Sequence, residues 1–137
     1  MKTTKSFVAF LLLFVSISFI RCTPDQDIST TTKDIISQGK WTVDYYYAGQ
    51  DRTSQFNTYE FSFVRNGTVT VATTGGDFSG TWMLMKDVSR NDVIQINIPT
   101  GEPHLAELNE QWNVTETTNT VIAMRVSTSS QLRLRKL

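Results

Sequence analysis

The sequence predicts an all-β domain, an eight-stranded up-and-down antiparallel barrel with a short helical lid, preceded by a signal peptide and a flexible tether. Three observations carry that prediction. From Gly39 onward, apolar residues recur at every second position in run after run, the period of a pleated strand. Tight-turn residues separate these runs, among them Asn66-Gly67, Gly75-Gly76 and Thr118-Asn119. No connection is long and helical enough to carry a parallel crossover, and closing the sheet on itself would leave no unpaired edge.

Residues 1–21 read as a lipoprotein signal peptide, 22–38 as a lipidated cysteine and tether, and 39–137 as the barrel. Lys2 and Lys5 precede an apolar run from Phe7 to Ile20. A spanning helix needs about 20 apolar residues to cross about 30 Å of hydrocarbon, so this shorter run fits an export signal better than a permanent anchor. The run ends on Cys22, the only cysteine, which excludes an internal disulfide. Phe19-Ile20-Arg21-Cys22 resembles the site where bacterial lipoproteins receive a diacylglycerol thioether, with Arg21 in place of the usual small residue. Palmitate and its companion chains on Cys22 would hold the protein to a membrane, because each buried methylene contributes roughly 0.8 kcal/mol. Thr23 stands where an inner-membrane retention signal would carry Asp, so the expected location is the outer membrane. Asp25 and Asp27 resemble acidic tags that send some lipoproteins to the cell surface, and equally suit a solvated spacer. Thr23 to Lys33 is polar and is expected to stay unordered.

Asp34 to Ser37 suits a single helical turn over one barrel end. In Gly39 to Tyr47, the first strand, Trp41, Val43, Tyr45 and Tyr47 share the inner face, leaving Tyr46 outside. After a polar loop, Phe56 to Arg65 forms the second strand with Tyr59, Phe61 and Phe63 inward. Asn66-Gly67 then predicts a type I′ hairpin turn, which needs positive φ at both residues. Thr68 to Thr73 returns with Val69 and Val71 inward. Phe78 to Leu84 follows, with Phe78, Trp82 and Leu84 inward and Gly80 marking a bend or a close approach. Ile94, Ile96 and Ile98 carry the fifth strand, and Pro99 ends it. Pro103 to Glu110 suits a short helix whose Leu105 and Leu108 cover a barrel end. Gln111 to Thr117 turns Trp112 and Val114 inward; Val121 to Val126 turns Ile122, Met124 and Val126 inward; Leu132 and Leu134 complete the last strand.

Together, Gly39-Lys40-Trp41, Tyr59 to Phe63, Asn66-Gly67-Thr68-Val69, Ser79-Gly80-Thr81-Trp82 and Leu108 to Trp112 resemble the small lipocalin-like domains carried on bacterial outer-membrane lipoproteins. The resemblance spans Gly39 to Leu137. It implies a basic residue from the last strand, Arg133 or Arg135, lying across Trp41, and loosely implies ligand binding. The chain lacks the helix that flanks a full-size lipocalin barrel and the acidic-aromatic signature at Thr117 to Thr120.

Lys plus Arg balances Asp plus Glu at 13 each, which excludes a broad nucleic-acid footprint. No Gly-x-Ser-x-Gly elbow is present, and His104 is the single imidazole. His104 with Glu102, Glu107 and Glu110 lacks the spacing of a metal or acid-base site and reads as surface. No catalytic residue, cofactor or metal is expected. Asn66 and Asn113 match glycosylation acceptors but are explained by turn and strand positions. An eight-stranded barrel is just wide enough to be filled by side chains or to hold one small ligand. The first functional expectation is therefore a small apolar ligand walled by Trp41, Tyr45, Phe61, Trp82 and Trp112. The alternative is a packed aromatic core in a barrel that acts as a protein or glycan interaction module of the envelope, using the loops and an exposed Tyr46.

Overall fold

Alternation along each run builds strands whose apolar faces can be satisfied only by closing on one another, and the chain does close. The structure is a computed structural model that describes residues 31–137. The signal peptide, Cys22 and the first part of the tether lie outside the described residues. Eight antiparallel strands follow in sequence order around a closed barrel: β1 (Trp41–Ala48), β2 (Glu60–Phe63), β3 (Thr68–Thr73), β4 (Gly76–Lys86), β5 (Asp92–Asn97), β6 (Gln111–Thr117), β7 (Val121–Ser127) and β8 (Ser130–Lys136). β8 closes onto β1 from Trp41↔Lys136 to Ala48↔Ser130. No described helix is long and apolar enough to cross a membrane.

Two short helices cap the ends. α1 (Thr32–Ile36) is begun by a capping box in which Thr31 and Asp34 satisfy each other's backbone and side-chain groups. It starts two residues before the expected turn, and Thr32, Ile35 and Ile36 are buried. Residues 31–38 therefore belong to the folded body and not to a loose tether: Thr32 donates to Asp92 at 2.5 Å and lies 3.2 Å from the Thr117 hydroxyl. α2 (Pro103–Ala106) buries Leu105, with Leu108 buried just after it, as expected of a lid.

Three register breaks alter which side chains face in. A bulge between Val43 and Tyr45 reverses the alternation in β1, so Tyr46 is turned inside at 2% exposure and Tyr45 outside. The sequence expectation that Tyr45 and Tyr47 point inward and Tyr46 outward is thereby corrected. A second bulge lies between Val114 and Glu116. A third, between Arg125 and Ser127, turns Val126 outward against expectation. The second strand is also shorter than expected, because Thr53–Phe56 forms a 3₁₀ turn with Phe56 fully buried. The reason is visible in β1, where Tyr46 spends its backbone groups on Arg52 N–H and Thr53 Oγ1, so β2 meets β1 at Trp41↔Phe61 alone.

The Asn66-Gly67 hairpin forms, but only Gly67 has positive φ, at 95°. A turn from Val64 to Gly67, closed by Gly67 N–H to Val64 O and by Asn66 Oδ1 accepting from Thr68 N–H, replaces the type I′ geometry. Gly80 is a close approach: a Cβ there would stand 2.7 Å from the Ile98 backbone.

Candidate functional site

Of the five residues expected to wall a ligand site, four are buried inside the barrel, at different levels along it. Trp41, Phe61 and Trp112 are within 1% of full burial and Trp82 is buried with them. Other rings pack close beside them. Phe63 stacks on Phe61 at 6.4 Å and meets the edge of Trp82 at 5.6 Å, while Tyr46 packs against Phe56 at 5.1 Å and Trp112 at 6.4 Å. Ile94, Ile96, Ile98, Met124, Leu132 and Leu134 fill between the rings. Each indole N–H is satisfied by a backbone carbonyl: Trp41 by Ile36 at 2.9 Å, Trp82 by Val64 at 2.8 Å and Trp112 by Leu108 at 3.0 Å. The fifth residue, Tyr45, lies on the outer face, so it cannot be a wall of an interior pocket.

The last strand lays a cation across Trp41, as the sequence resemblance implied, but the residue is Lys136, with Nζ 5.8 Å from the ring centre. Arg133 and Arg135 point outward, and Arg135 pairs with Asp44.

Ionisable groups gather at the end capped by α2. Arg52 Nη1 meets Glu107 Oε1 at 2.6 Å, tying the β1–β2 connection to the lid. Burial pushes the Tyr46 hydroxyl up to about 12, helped by the carboxylate of Glu107 beside it. Tyr59 is raised by burial and by Glu102. His104 lies against the Phe56 ring at 6.2 Å, and its Nδ1, with Arg52 Nε and Glu107 Oε2, has no hydrogen-bond partner among the described residues. His104, Glu102 and Glu107 are thus half-buried members of the lid, not the free surface that the sequence suggested; Glu110 is exposed. No group of three His, Cys, Asp or Glu side chains placed to hold a metal occurs among the described residues.

The open concavities lie on the outside. The largest of these surface depressions run over β6, β7, β8 and β1, with volumes of about 690 Å³ beside Tyr45, Arg125 and Arg133, and about 700 Å³ beside Asn113 and Thr128. Sequence reasoning missed this face, since its residues come from four separate strands and carry no local motif.

The barrel, its hairpin order and its capped ends define a lipocalin-like fold. Solved structures agree. A DUF4847 family protein from Bacteroides vulgatus superposes with a TM-score of 0.60 at 14% identity, over 78% of this chain and 98% of that one. A lipocalin-like protein from Bacteroides uniformis gives 0.52 at 14% identity, over 74% and 99%. An uncharacterized protein from Bacteroides eggerthii gives 0.50 at 15% identity, over 72% and 98%. No protein-family model matches the chain, and no curated protein sequence matches it.

Proposed function

We propose that this protein is a non-enzymatic lipoprotein of the outer membrane, held by lipid on Cys22, whose filled barrel serves as a recognition module of the cell envelope through its outer face. The observation that carries this reading is the packed interior. The indoles of Trp41, Trp82 and Trp112 are bonded to the backbone, and Phe63 and Tyr46 pack against Phe61, Trp82 and Trp112, so a ligand between them would have to displace side chains already in the core. That packing supports a filled module over the apolar-ligand carrier that the sequence first suggests. The anchor is supported by the sequence alone: a charged start, a run too short to span, and a lone cysteine at its end.

Two measurements test the two halves. Titrating the full chain with fatty acids, sterols and hydrophobic dyes should leave its tryptophan fluorescence without saturable quenching. Saturable quenching by any of them would restore the interior-ligand reading. Cells fed radioactive palmitate should label the protein, and Cys22→Ala should abolish the label; label that persists in Cys22→Ala would remove the anchor.

A further inference from the structure

The three bulges of the barrel border one continuous trough. The depression beside Tyr45 shares Thr115, Arg125 and Thr128 with the next one, which in turn shares Asp87, Asn113 and Val126 with a third of about 610 Å³ over β4–β6. Bulges gather beside sites where a strand must re-aim a side chain. Here the β1 bulge turns Tyr45 out, opposite Arg133, and the β6 and β7 bulges shape the facing bank. Ala123, directly opposite Arg133 on the neighbouring strand, is too short to fill the floor between them.

We infer that this trough is a binding site for an acidic saccharide chain, one bearing carboxylates on successive sugars. The inference rests on the outer-face reading above and names its ligand class. Four features argue for it. The trough is elongated, which suits a polymer rather than a compact metabolite. Its walls are rich in amide and hydroxyl groups, including Gln131, Asn113, Thr115 and Thr128, which pair with sugar hydroxyls. Tyr45 offers a half-buried ring beside them on which a sugar face can rest.

The fourth feature is charge. Arg52, Arg65 and Arg135 are each held by a carboxylate, whereas Arg90, Arg125 and Arg133 have no ion-pair partner among the described residues, and of these Arg125 and Arg133 line the Tyr45 depression. Asp44 on the Tyr45 bank is engaged by Arg135, and Glu116 on the facing bank is the carboxylate of that depression with no ion pair among the described residues. Asp87 and Glu110, also without an ion pair among them, line the farther stretch, so the acidic groups are held at the Tyr45 depression and the rest of the saccharide chain runs on over the amide and hydroxyl walls. Arg125 stands opposite Gln131 and Arg133 opposite Ala123, so the two arginines are diagonal neighbours on adjacent strands, with backbones roughly 7–8 Å apart. That separation exceeds the span of one carboxylate and fits two acidic groups along a chain. Guanidinium groups suit carboxylates because their donors form a planar fork.

The test uses the full chain in detergent and calorimetric titration with tetrasaccharides of galacturonic, glucuronic, mannuronic and guluronic acid. Cellotetraose, free galacturonic acid and a tetraglutamate peptide serve as comparisons. At least one uronate tetramer should bind, tenfold or more tighter than cellotetraose and than the free uronic acid, and more weakly as salt rises. The exposed double substitution Arg125→Gln with Arg133→Gln should weaken binding at least tenfold, Tyr45→Ala severalfold, and Lys33→Gln on α1, outside the trough lining, not at all. Failure of all four tetramers, equal binding of tetraglutamate, or binding that survives the double substitution overturns the saccharide site. If the tetramers fail while hydrophobic probes also leave the fluorescence unchanged, the saccharide assignment falls and the filled module stands; saturable quenching by a fatty acid brings down the module itself.

Discussion

Both ends of this barrel are closed by a short helical segment that offers a backbone carbonyl to a buried indole, yet the two closures are built from different chemistry. Where β1 begins, α1 gives Ile36 O to Trp41 and is fastened by neutral Thr32 reaching Asp92 and Thr117, with an exposed Arg65–Asp34 pair outside. At the other end, the turn after α2 gives Leu108 O to Trp112, and Asn109 pairs both its amide groups with the backbone of Ile98. Around it lie Tyr46, Tyr59, Arg52, Glu107 and His104, with three side-chain atoms lacking partners among the described residues where α1 leaves Ser37 Oγ. Thr32 donates to a carboxylate, so the α1 closure weakens in acid, whereas the neutral phenol of Tyr46 beneath α2 makes that closure weaken in alkali. The α1 end is an acid-sensitive clamp and the α2 end an alkali-sensitive lid.

The largest test of this comparison is removal of either indole. Trp41→Ala and Trp112→Ala should each cost about 3–5 kcal/mol in urea unfolding, since each deletes a fully buried ring and orphans a carbonyl. If one of them costs less than half as much as the other, the two ends do not share the indole device. Next in size is Arg52→Met. It strands the Glu107 carboxylate beside Tyr46, and because both side chains of the pair keep 30% exposure the cost should be about 1–2 kcal/mol. Hydrogen exchange at Leu105 to Asn109 should rise in that variant while exchange at Ile35 and Ile36 stays at its wild-type rate; equal acceleration at both ends would erase the distinction.

A pH series of melting temperatures sharpens it further, with the signs opposite at the two ends. Tyr46 is raised from 10 to about 12, so its neutral form is favoured in the fold. Its contribution is complete below about pH 10 and is lost as pH climbs through 12. At the α1 end, burial of Asp92 pushes its carboxyl up, but hydrogen bonds from Lys86 and Thr32 and the charge of Lys86 outweigh this and leave it below its usual 3.8. Its contribution is present above that value and is lost as pH falls further. Tyr46→Phe should therefore flatten the alkaline limb and leave the acid limb unchanged, and Asp92→Asn should do the reverse. Thr32→Val is the mildest change. Losing its bonds to Asp92 and Thr117 should cost about 1 kcal/mol, and an unchanged midpoint would mean that α1 is held by Ile35 and Ile36 alone.

Much of the fold could be read residue by residue. Val69 and Val71, Trp82, the isoleucines of β5 and the paired leucines of β8 fall inside as alternation requires, and the hairpins at Gly67 and Gly76 connect the strands expected. The errors are local and share a cause. Tyr45-Tyr46-Tyr47 presents the same side chain at either parity, so nothing in the run itself marks the bulge that decides which ring enters. Phe56 looked like the start of a strand because it precedes an alternating run. The overlooked signal was Asp51, whose side chain accepts from Thr53 and starts the turn. Of the candidate site residues, Trp41, Phe61, Trp82 and Trp112 are buried in the core and Tyr45 lies outside it. The outer trough was invisible because it is assembled from side chains of non-adjacent segments.

The sequence by itself determined the closed antiparallel barrel, since period-two apolar runs joined by tight turns have few other ways to hide one face and leave no edge exposed. Its tryptophans had to be buried for the same reason. What only the tertiary structure decided is register: β8 fixed the bulge in β1, and with it the exchange of Tyr45 for Tyr46. That step cannot be local, because a strand's parity depends on the hydrogen bonds of its neighbour, and a slip of one residue moves a side chain from the core to the surface.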